Sequence, residues 1–200
     1  MAQDAGYPVE LNLNGLKVEY AHTRPYRGMK LEDIEILHAL HEWKVEADYS
    51  SAVRLLEPFV RQLEQKEDSL ANRNKYYRPL SYLKEKLLLW EIKQQVDSVN
   101  VGDSVRPYLK KDMLEGVYCD DGRRTYYWEG NQMINTLIAY RIIKNDPSLC
   151  KLKENMQLYI LRTKERGWNT YQASSAVATV LTDLLAGSGG MSGTSVSVSG

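Results

Sequence analysis

The sequence has few cysteines, no excess of either charge and no long apolar run, and each shortage excludes a class of protein. Its two cysteines, Cys119 and Cys150, are too few for a disulfide framework and lack the paired spacing of a zinc site. Lysine plus arginine and aspartate plus glutamate number 26 each, so no basic field is available to hold nucleic acid. We therefore expect no nucleic-acid partner and no structural metal.

Signals for membranes and cofactors are also missing. No apolar run approaches the roughly 20 residues that a membrane-spanning helix needs, and residues 1–6 lack the basic and apolar segments of a secretory signal. There is no Gly-x-Ser-x-Gly elbow for a nucleophilic serine. The glycine-rich residues 187–190 lack the lysine and the following helix of a phosphate loop. We expect no membrane span, no cofactor and no catalytic residue in this chain.

A series of helical apolar patterns fills most of the sequence. Helices are predicted at residues 31–47, 53–63, 79–96, 103–114, 131–145, 147–166 and 171–185, with Ser50 or Ser51 as the cap of the second and Asp146 as the cap of the sixth. The helices at 79–96 and 131–145 are apolar around most of their surface, which predicts inner helices covered on several sides. Pro58 is expected to kink or divide the second helix, and the charged residues 65–78 to form a loop. The pattern predicts a mainly α fold.

A small β-hairpin is predicted at residues 117–128, where the helical rhythm breaks off. The turn signal Asp120-Asp121-Gly122 lies there between two segments with strand preference. Near the N-terminus, residues 9–20 alternate around Asn14-Gly15, which predicts either a second hairpin or a linker.

Composition divides the chain into three parts. We predict an extended N-terminal segment at residues 1–30, a helical domain at 31–186 and a Gly/Ser-rich end at 187–200. The alternating serines and valines in the last part are typical either of a flexible tail or of the first strand of a truncated β domain.

Residues 101–186 carry a family resemblance. Its structural signature consists of Trp128, Gly130, Gly167, Trp168, Asn169 and Thr170, of which the last four, a Gly-Trp-Asn-Thr junction, are the most specific part. With Glu115-Gly116-Val117-Tyr118 before them and a small-residue helix behind them, these residues resemble the thioester-domain region of bacterial alpha-2-macroglobulins, whereas residues 31–100 match only a rhythm of helices. The resemblance implies the later part of an α/α toroid, here a partial ring of antiparallel helical hairpins, with a β-sandwich module after it.

The resemblance also implies a function. It points to a non-catalytic helical scaffold domain of a protease-trapping endopeptidase inhibitor, in the periplasm or at the cell surface. Its partners would be proteases, through the parent protein, and neighbouring β-sandwich modules of the same chain. The family's thioester joins the cysteine and glutamine of a Cys-Gly-Glu-Gln motif. Cys119 is followed by Asp120 and Cys150 by Lys151, so the thioester is assigned to neither.

Two alternatives assign chemistry to the chain, and a third assigns binding. His38 and His41 could share a helix face and bind a metal with His22, although we interpret them as ordinary partly buried histidines. Asp120 and Asp121, beside three aromatic residues, could be the paired carboxylates of a glycan-active α/α-toroid enzyme, although Asp-Asp-Gly is more typical of a turn. The last alternative is a helical-repeat protein-binding module, which an exposed concave apolar face would favour.

Overall fold

The computed structural model describes residues 11–12, 17–18, 30–125, 132–164, 167 and 170–187. The helices are α1 (Leu31–Glu42), α2 (Tyr49–Arg73), α3 (Leu83–Val96), α4 (Gly102–Val105), α5 (Gln132–Ile143), α6 (Cys150–Thr163), α7 (Thr170–Ala176) and α8 (Thr182–Gly187). The strands are β1 (Leu11–Asn12), β2 (Lys17–Val18), β3 (Leu109–Lys111) and β4 (Val117–Cys119), with 3₁₀ turns at Arg106–Tyr108 and Pro147–Leu149 and a π-helical segment, Val177–Leu181, between α7 and α8. The predicted mainly α fold with a small antiparallel β element is confirmed.

Two helices, α3 and α5, form the centre of the structure. α3 packs against α1, α2 and α5, and α5 packs in addition against β4, α6 and α7. The buried apolar side chains on these two helices are Leu83, Leu87, Leu88, Leu89 and Ile92 on α3, and Met133, Leu137, Ile138, Ala139, Tyr140, Ile142 and Ile143 on α5. Burying one such large side chain stabilises a fold by roughly 1.5–3 kcal/mol. The predicted inner position of both helices is confirmed, and their arrangement as a partial ring of an α/α toroid stays a prediction.

The helix α2 is longer than predicted. It begins after Asp48, whose Oδ1 accepts a hydrogen bond from the Ser51 N–H at 3.0 Å, so the cap is this aspartate and neither serine. Pro58 lies inside the helix without dividing it, although proline removes one backbone hydrogen bond. Of the two predicted effects of Pro58, division of the helix is therefore wrong, and a kink stays a prediction.

The predicted loop at residues 65–78 is wrong for its first nine residues, which continue α2 to Arg73. Glu67 is 7% exposed there, and its Oε2 accepts hydrogen bonds from the Tyr77 hydroxyl and the Leu80 N–H, each at 2.8 Å. These contacts hold the following segment against the end of the helix. The charged pattern gave no sign that Glu67 is buried and that its carboxylate holds the segment after α2.

The hairpin at Cys119 has a different partner from the predicted one. β4 pairs antiparallel with the preceding strand β3, so that Leu109 lies opposite Cys119. The helix predicted at 103–114 continues as a 3₁₀ turn over Arg106–Tyr108 and is wrong from Leu109 on. The predicted second strand provides only a parallel bridge between Arg124 and Leu80 within the described residues, and residues 126–128 lie outside them.

The other local predictions concern the ends of elements. β1 and β2 pair antiparallel with Leu11 opposite Val18, which confirms the hairpin interpretation of this segment over the linker. Asp146 caps the start of the sixth predicted helix, since its Oδ1 accepts a hydrogen bond from the Ser148 N–H at 2.9 Å. Of the Gly/Ser-rich end, residues 188–200 lie outside the described part. None of the described helices combines the length and the apolar character needed to span a bilayer.

Candidate functional site

The family signature is described only in part. Trp128, Gly130, Trp168 and Asn169 lie outside the described residues, and Thr170 is the first residue of α7. Gly167 has a φ of +86°, and its N–H donates to the Lys164 carbonyl at 3.0 Å. Glycine adopts this left-handed conformation without steric cost and commonly follows the last turn of a helix. Gly167 directly follows the helix predicted at 147–166, and its conformation is typical of a residue beyond a helix end, although α6 itself ends at Thr163.

The two cysteines lie in different environments. Cys119 is fully buried in β4, and its backbone N–H donates to the Thr136 hydroxyl at 2.9 Å. Burial, and then the nearby Asp120 carboxylate, raise the pKa of the Cys119 thiol to about 12. Because the thiolate is the reactive form, this side chain acts as a core residue and not as a nucleophile. Cys150 is exposed at the start of α6.

The carboxylates of Asp120 and Asp121 are both engaged in structural contacts. Burial opposes ionisation of Asp120, but hydrogen bonds from the Gly122 N–H and the Lys110 ammonium outweigh it and lower the pKa of the carboxyl. The Asp121 carboxylate accepts a hydrogen bond from the Ser81 hydroxyl at 2.7 Å. A general acid at neutral pH requires a raised pKa instead. These contacts favour the turn interpretation over paired catalytic carboxylates.

His38 belongs to a buried ionic cluster that sequence reasoning missed. Its Nε2 lies 2.9 Å from Glu91 Oε2, and Arg141 donates to the same carboxylate through Nε at 2.6 Å and Nη2 at 2.7 Å. The three residues, here called the Glu91 cluster, join α1, α3 and α5. Burial opposes ionisation of Glu91, but the hydrogen bonds from Arg141 and His38 outweigh it and hold its pKa at about 2. The cluster is thus a charged link within the core.

The second candidate metal ligand, His41, makes a different contact. Its ring meets the Tyr49 ring edge-on, with centroids 5.0 Å apart, and burial, followed by the nearby His38, lowers its pKa. His22 lies outside the described residues. Across the described part of the chain, no three His, Cys, Asp or Glu side chains are grouped so as to hold a metal ion. The nitrogen of His38 that faces Glu91 is already engaged in the cluster.

A cleft of about 330 Å³ lies at the surface between α2 and α3. It is lined by Glu57, Val60, Arg61 and Glu64 of α2, by Lys86, Leu89, Trp90 and Lys93 of α3, and by Ser104 of α4. The α2 residues recur at helical spacing, so they lie on one face. Val60 and Leu89 are each 1% exposed and form an apolar base beneath charged walls.

Two ion pairs cross this cleft. Lys93 Nζ lies 2.9 Å from Glu57 Oε1, and Lys86 Nζ lies 3.0 Å from Glu64 Oε1. Lys86 also donates to the Tyr108 hydroxyl at 2.7 Å, and its ammonium lies 4.9 Å from the centroid of that ring. Burial opposes the charge on Lys86, but the hydrogen bonds to the tyrosine and the glutamate outweigh it and raise its pKa. Both α2 carboxylates therefore already have cationic partners.

Arg61 is the remaining charged residue of the cleft wall. Its guanidinium makes no ion pair or hydrogen bond with another described residue, because the carboxylates at positions 57 and 64 bind lysines of α3. The charges from Arg61 to Lys75 alternate in sign, which favours a solvated face, with a partner-docking strip as the alternative. The spacing of 57, 61 and 64 was the available signal, but the partner helix could not be deduced from it.

The comparisons with known proteins found no match to this chain. No protein-family model matches the chain, and neither a curated protein nor a solved structure matches it. The resemblance to alpha-2-macroglobulins therefore stays a prediction based on the residues that carry it. The described side chains supply a buried ionic cluster and a charged cleft as the two features with functional potential.

Proposed function

We propose that this chain is a non-catalytic helical scaffold domain of an alpha-2-macroglobulin-like protease trap. The observation that carries the proposal is the position of α3 and α5, which are covered by α1, α2, α6 and β4 as inner helices are. The resemblance of residues 101–186 to the thioester-domain region supports the proposed assignment to this family. In this role the domain presents surfaces to neighbouring β-sandwich modules, and the parent protein contacts the protease. The proposed location is the periplasm or the cell surface.

The chemistry of the described residues supports a structural role. Glu91, Asp120 and Asp121 are engaged in contacts that hold elements together, and the Cys119 thiol is kept protonated by burial. Catalytic groups are instead held at pKa values matched to proton transfer near the working pH. The proposal accordingly assigns no catalytic residue to this chain.

Exposed apolar side chains supply surface for contact with other modules. Met113 and Leu114, at the tip of the β3–β4 hairpin, are 101% and 63% exposed. Arg162 Nη1 donates to the Leu114 carbonyl at 2.7 Å and so fixes this tip against α6. A rigid exposed apolar tip suits docking, since little conformational entropy remains to be lost.

The test uses the longest natural protein that contains this sequence, incubated with chymotrypsin. We expect the mixture to keep hydrolysing a small peptide substrate while losing activity toward a large protein substrate, because trapping excludes large substrates. Chymotrypsin inactivated at its nucleophile should leave the protein uncleaved and should not be retained by it. Equal inhibition of both substrates, or of neither, contradicts the proposal.

Two variants of the same protein connect the effect to this domain. Glu91→Gln weakens the buried cluster and is expected to reduce retention of the protease. Glu57→Gln changes the same residue type at the surface and is expected to leave retention unchanged. Release of reducing sugar from a polysaccharide by the purified chain, abolished by Asp120→Asn, would overturn the proposal in favour of the glycan-active alternative.

A further inference from the structure

The cleft between α2 and α3 has a charge that its own residues do not neutralise. Three cations, Arg61, Lys86 and Lys93, and two carboxylates, Glu57 and Glu64, line it. The two lysines and the two carboxylates form pairs, so the unmatched positive charge resides on Arg61. A ligand with one negative charge would complete the set.

The planar shape of the Arg61 guanidinium indicates which kind of anion would bind to it. Arginine presents several N–H donors in a planar fork that matches the two oxygens of a carboxylate. The Ser104 hydroxyl also lines the cleft and adds a further donor. A carboxylate can therefore be held in a fixed orientation, and the neutralised glutamates beside it oppose it only weakly.

Beside Arg61 the cleft offers one aromatic surface. The half-buried Trp90 contributes to one wall, whereas Val60 and Leu89 beneath it are buried and present almost no surface to a ligand. A volume of about 330 Å³ lies near the lower end of small-molecule sites, which span ~300–1,000 Å³. Such a space holds a molecule with one ring or a short alkyl chain.

We propose that this cleft binds a small monocarboxylate with an aromatic body, with the carboxylate on Arg61 and the body against Trp90. The ion pairs across the cleft then act as walls that keep Glu57 and Glu64 from competing for the arginine. Binding here is independent of the scaffold role proposed above, because neither the protease nor a neighbouring module takes part.

The experiment titrates the intact chain with 3-phenylpropionate and, separately, with 3-phenylpropanamide, measured by calorimetry. The two probes differ in charge and share the apolar body. Saturable binding of the acid, with the amide bound at least about tenfold more weakly, is expected because a charged hydrogen-bonded pair is lost. Absence of saturable binding of the acid at millimolar concentration, or equal affinity for the two probes, overturns the proposal.

Two variants locate the binding. Arg61→Gln is expected to weaken binding of the acid by about tenfold while leaving the weak binding of the amide unchanged. Arg54→Gln, an exposed position of α2 outside the cleft lining, is the matched control and should bind the acid as the natural chain does. Urea unfolding of both variants checks that the fold is retained. Equal loss in the two variants, or no loss in Arg61→Gln, overturns the assignment to this cleft.

Discussion

Ion pairs join neighbouring helices in two parts of this molecule, and their surroundings differ. In the Glu91 cluster the carboxylate side chain is 6% exposed and has partners on two other helices. In the cleft, the side chains of Glu57 and Lys93 are 24% and 33% exposed. The attraction between two charges is larger in the interior, and so is the cost of removing them from water.

The different burial of the two sets of ion pairs gives them different roles. A buried carboxylate cannot lose the Arg141 guanidinium cheaply, because the remaining charge is then left without compensation. Ion pairs that face water contribute little to stability, so the pairs in the cleft are expected to hold α2 and α3 together only weakly. The cluster therefore fits a structural link better than the cleft pairs do.

Replacing Glu91 by glutamine should have the largest effect. The change leaves the Arg141 guanidinium with an uncharged partner in a site that is mostly shielded from water. We expect the free energy of unfolding, measured with urea near neutral pH, to fall by about 3–5 kcal/mol. Glu57→Gln, the matched change in the cleft, should lower it by less than about 1 kcal/mol. Equal losses at the two positions would remove the distinction between the regions.

Lowering the pH should remove the contribution of the Glu91 carboxylate to the free energy of unfolding, and this effect should be slightly smaller than that of the substitution. The pKa of Glu91 is about 2 in the folded chain against an ordinary value of 4.5, so the unfolded chain takes up the proton first as the pH falls. Its contribution is fully present above pH 4.5 and is lost toward pH 2; it amounts to about 3 kcal/mol. The measurement is the free energy of unfolding across this range for the natural chain and for Glu91→Gln. The difference between the two should shrink as the pH falls, and a constant difference would contradict the assignment.

Removing His38 should cost less, because Arg141 keeps two N–H donors on the carboxylate. For His38→Leu we expect the free energy of unfolding to fall by about 1.5 kcal/mol, which is the loss of one hydrogen bond to a charged group. The control is His41→Leu on the same helix, since His41 contacts the Tyr49 ring and not the cluster. Urea unfolding of both variants should give the larger loss at position 38.

Local signals in the sequence were sufficient for some elements. The all-round apolar patterns of residues 79–96 and 131–145 predicted the inner helices, because a helix without a polar face must be covered. Asp146 marked a helix start through its own conformational preference, and Gly167 has the conformation typical of a residue beyond a helix end. Such features depend on neighbours in the chain and therefore require no knowledge of the fold.

Features that depend on distant partners were not predictable in this way. The strand ending at Cys119 pairs with residues 109–111, which the sequence pattern assigned to a helix. Glu91 lies in the most apolar stretch of α3, which indicates a buried partner, but Arg141 is 50 residues away. Arg61 could not be identified as a candidate binding residue from the sequence, because the lysines that bind its flanking glutamates lie on another helix, α3.

The smallest expected effect is the coupling between Glu57 and Lys93. A double-mutant cycle with Glu57→Gln and Lys93→Met, measured by urea unfolding, should give an interaction of about 0.2–1 kcal/mol. Salt should reduce it, because the ionic atmosphere reaches pairs that are one-quarter to one-third exposed, whereas the loss caused by Glu91→Gln should be nearly independent of salt. A coupling several times larger and insensitive to salt would mean that the cleft pairs hold α2 to α3. The two lysines would then be structural groups like Arg141, and the difference between the two regions would disappear.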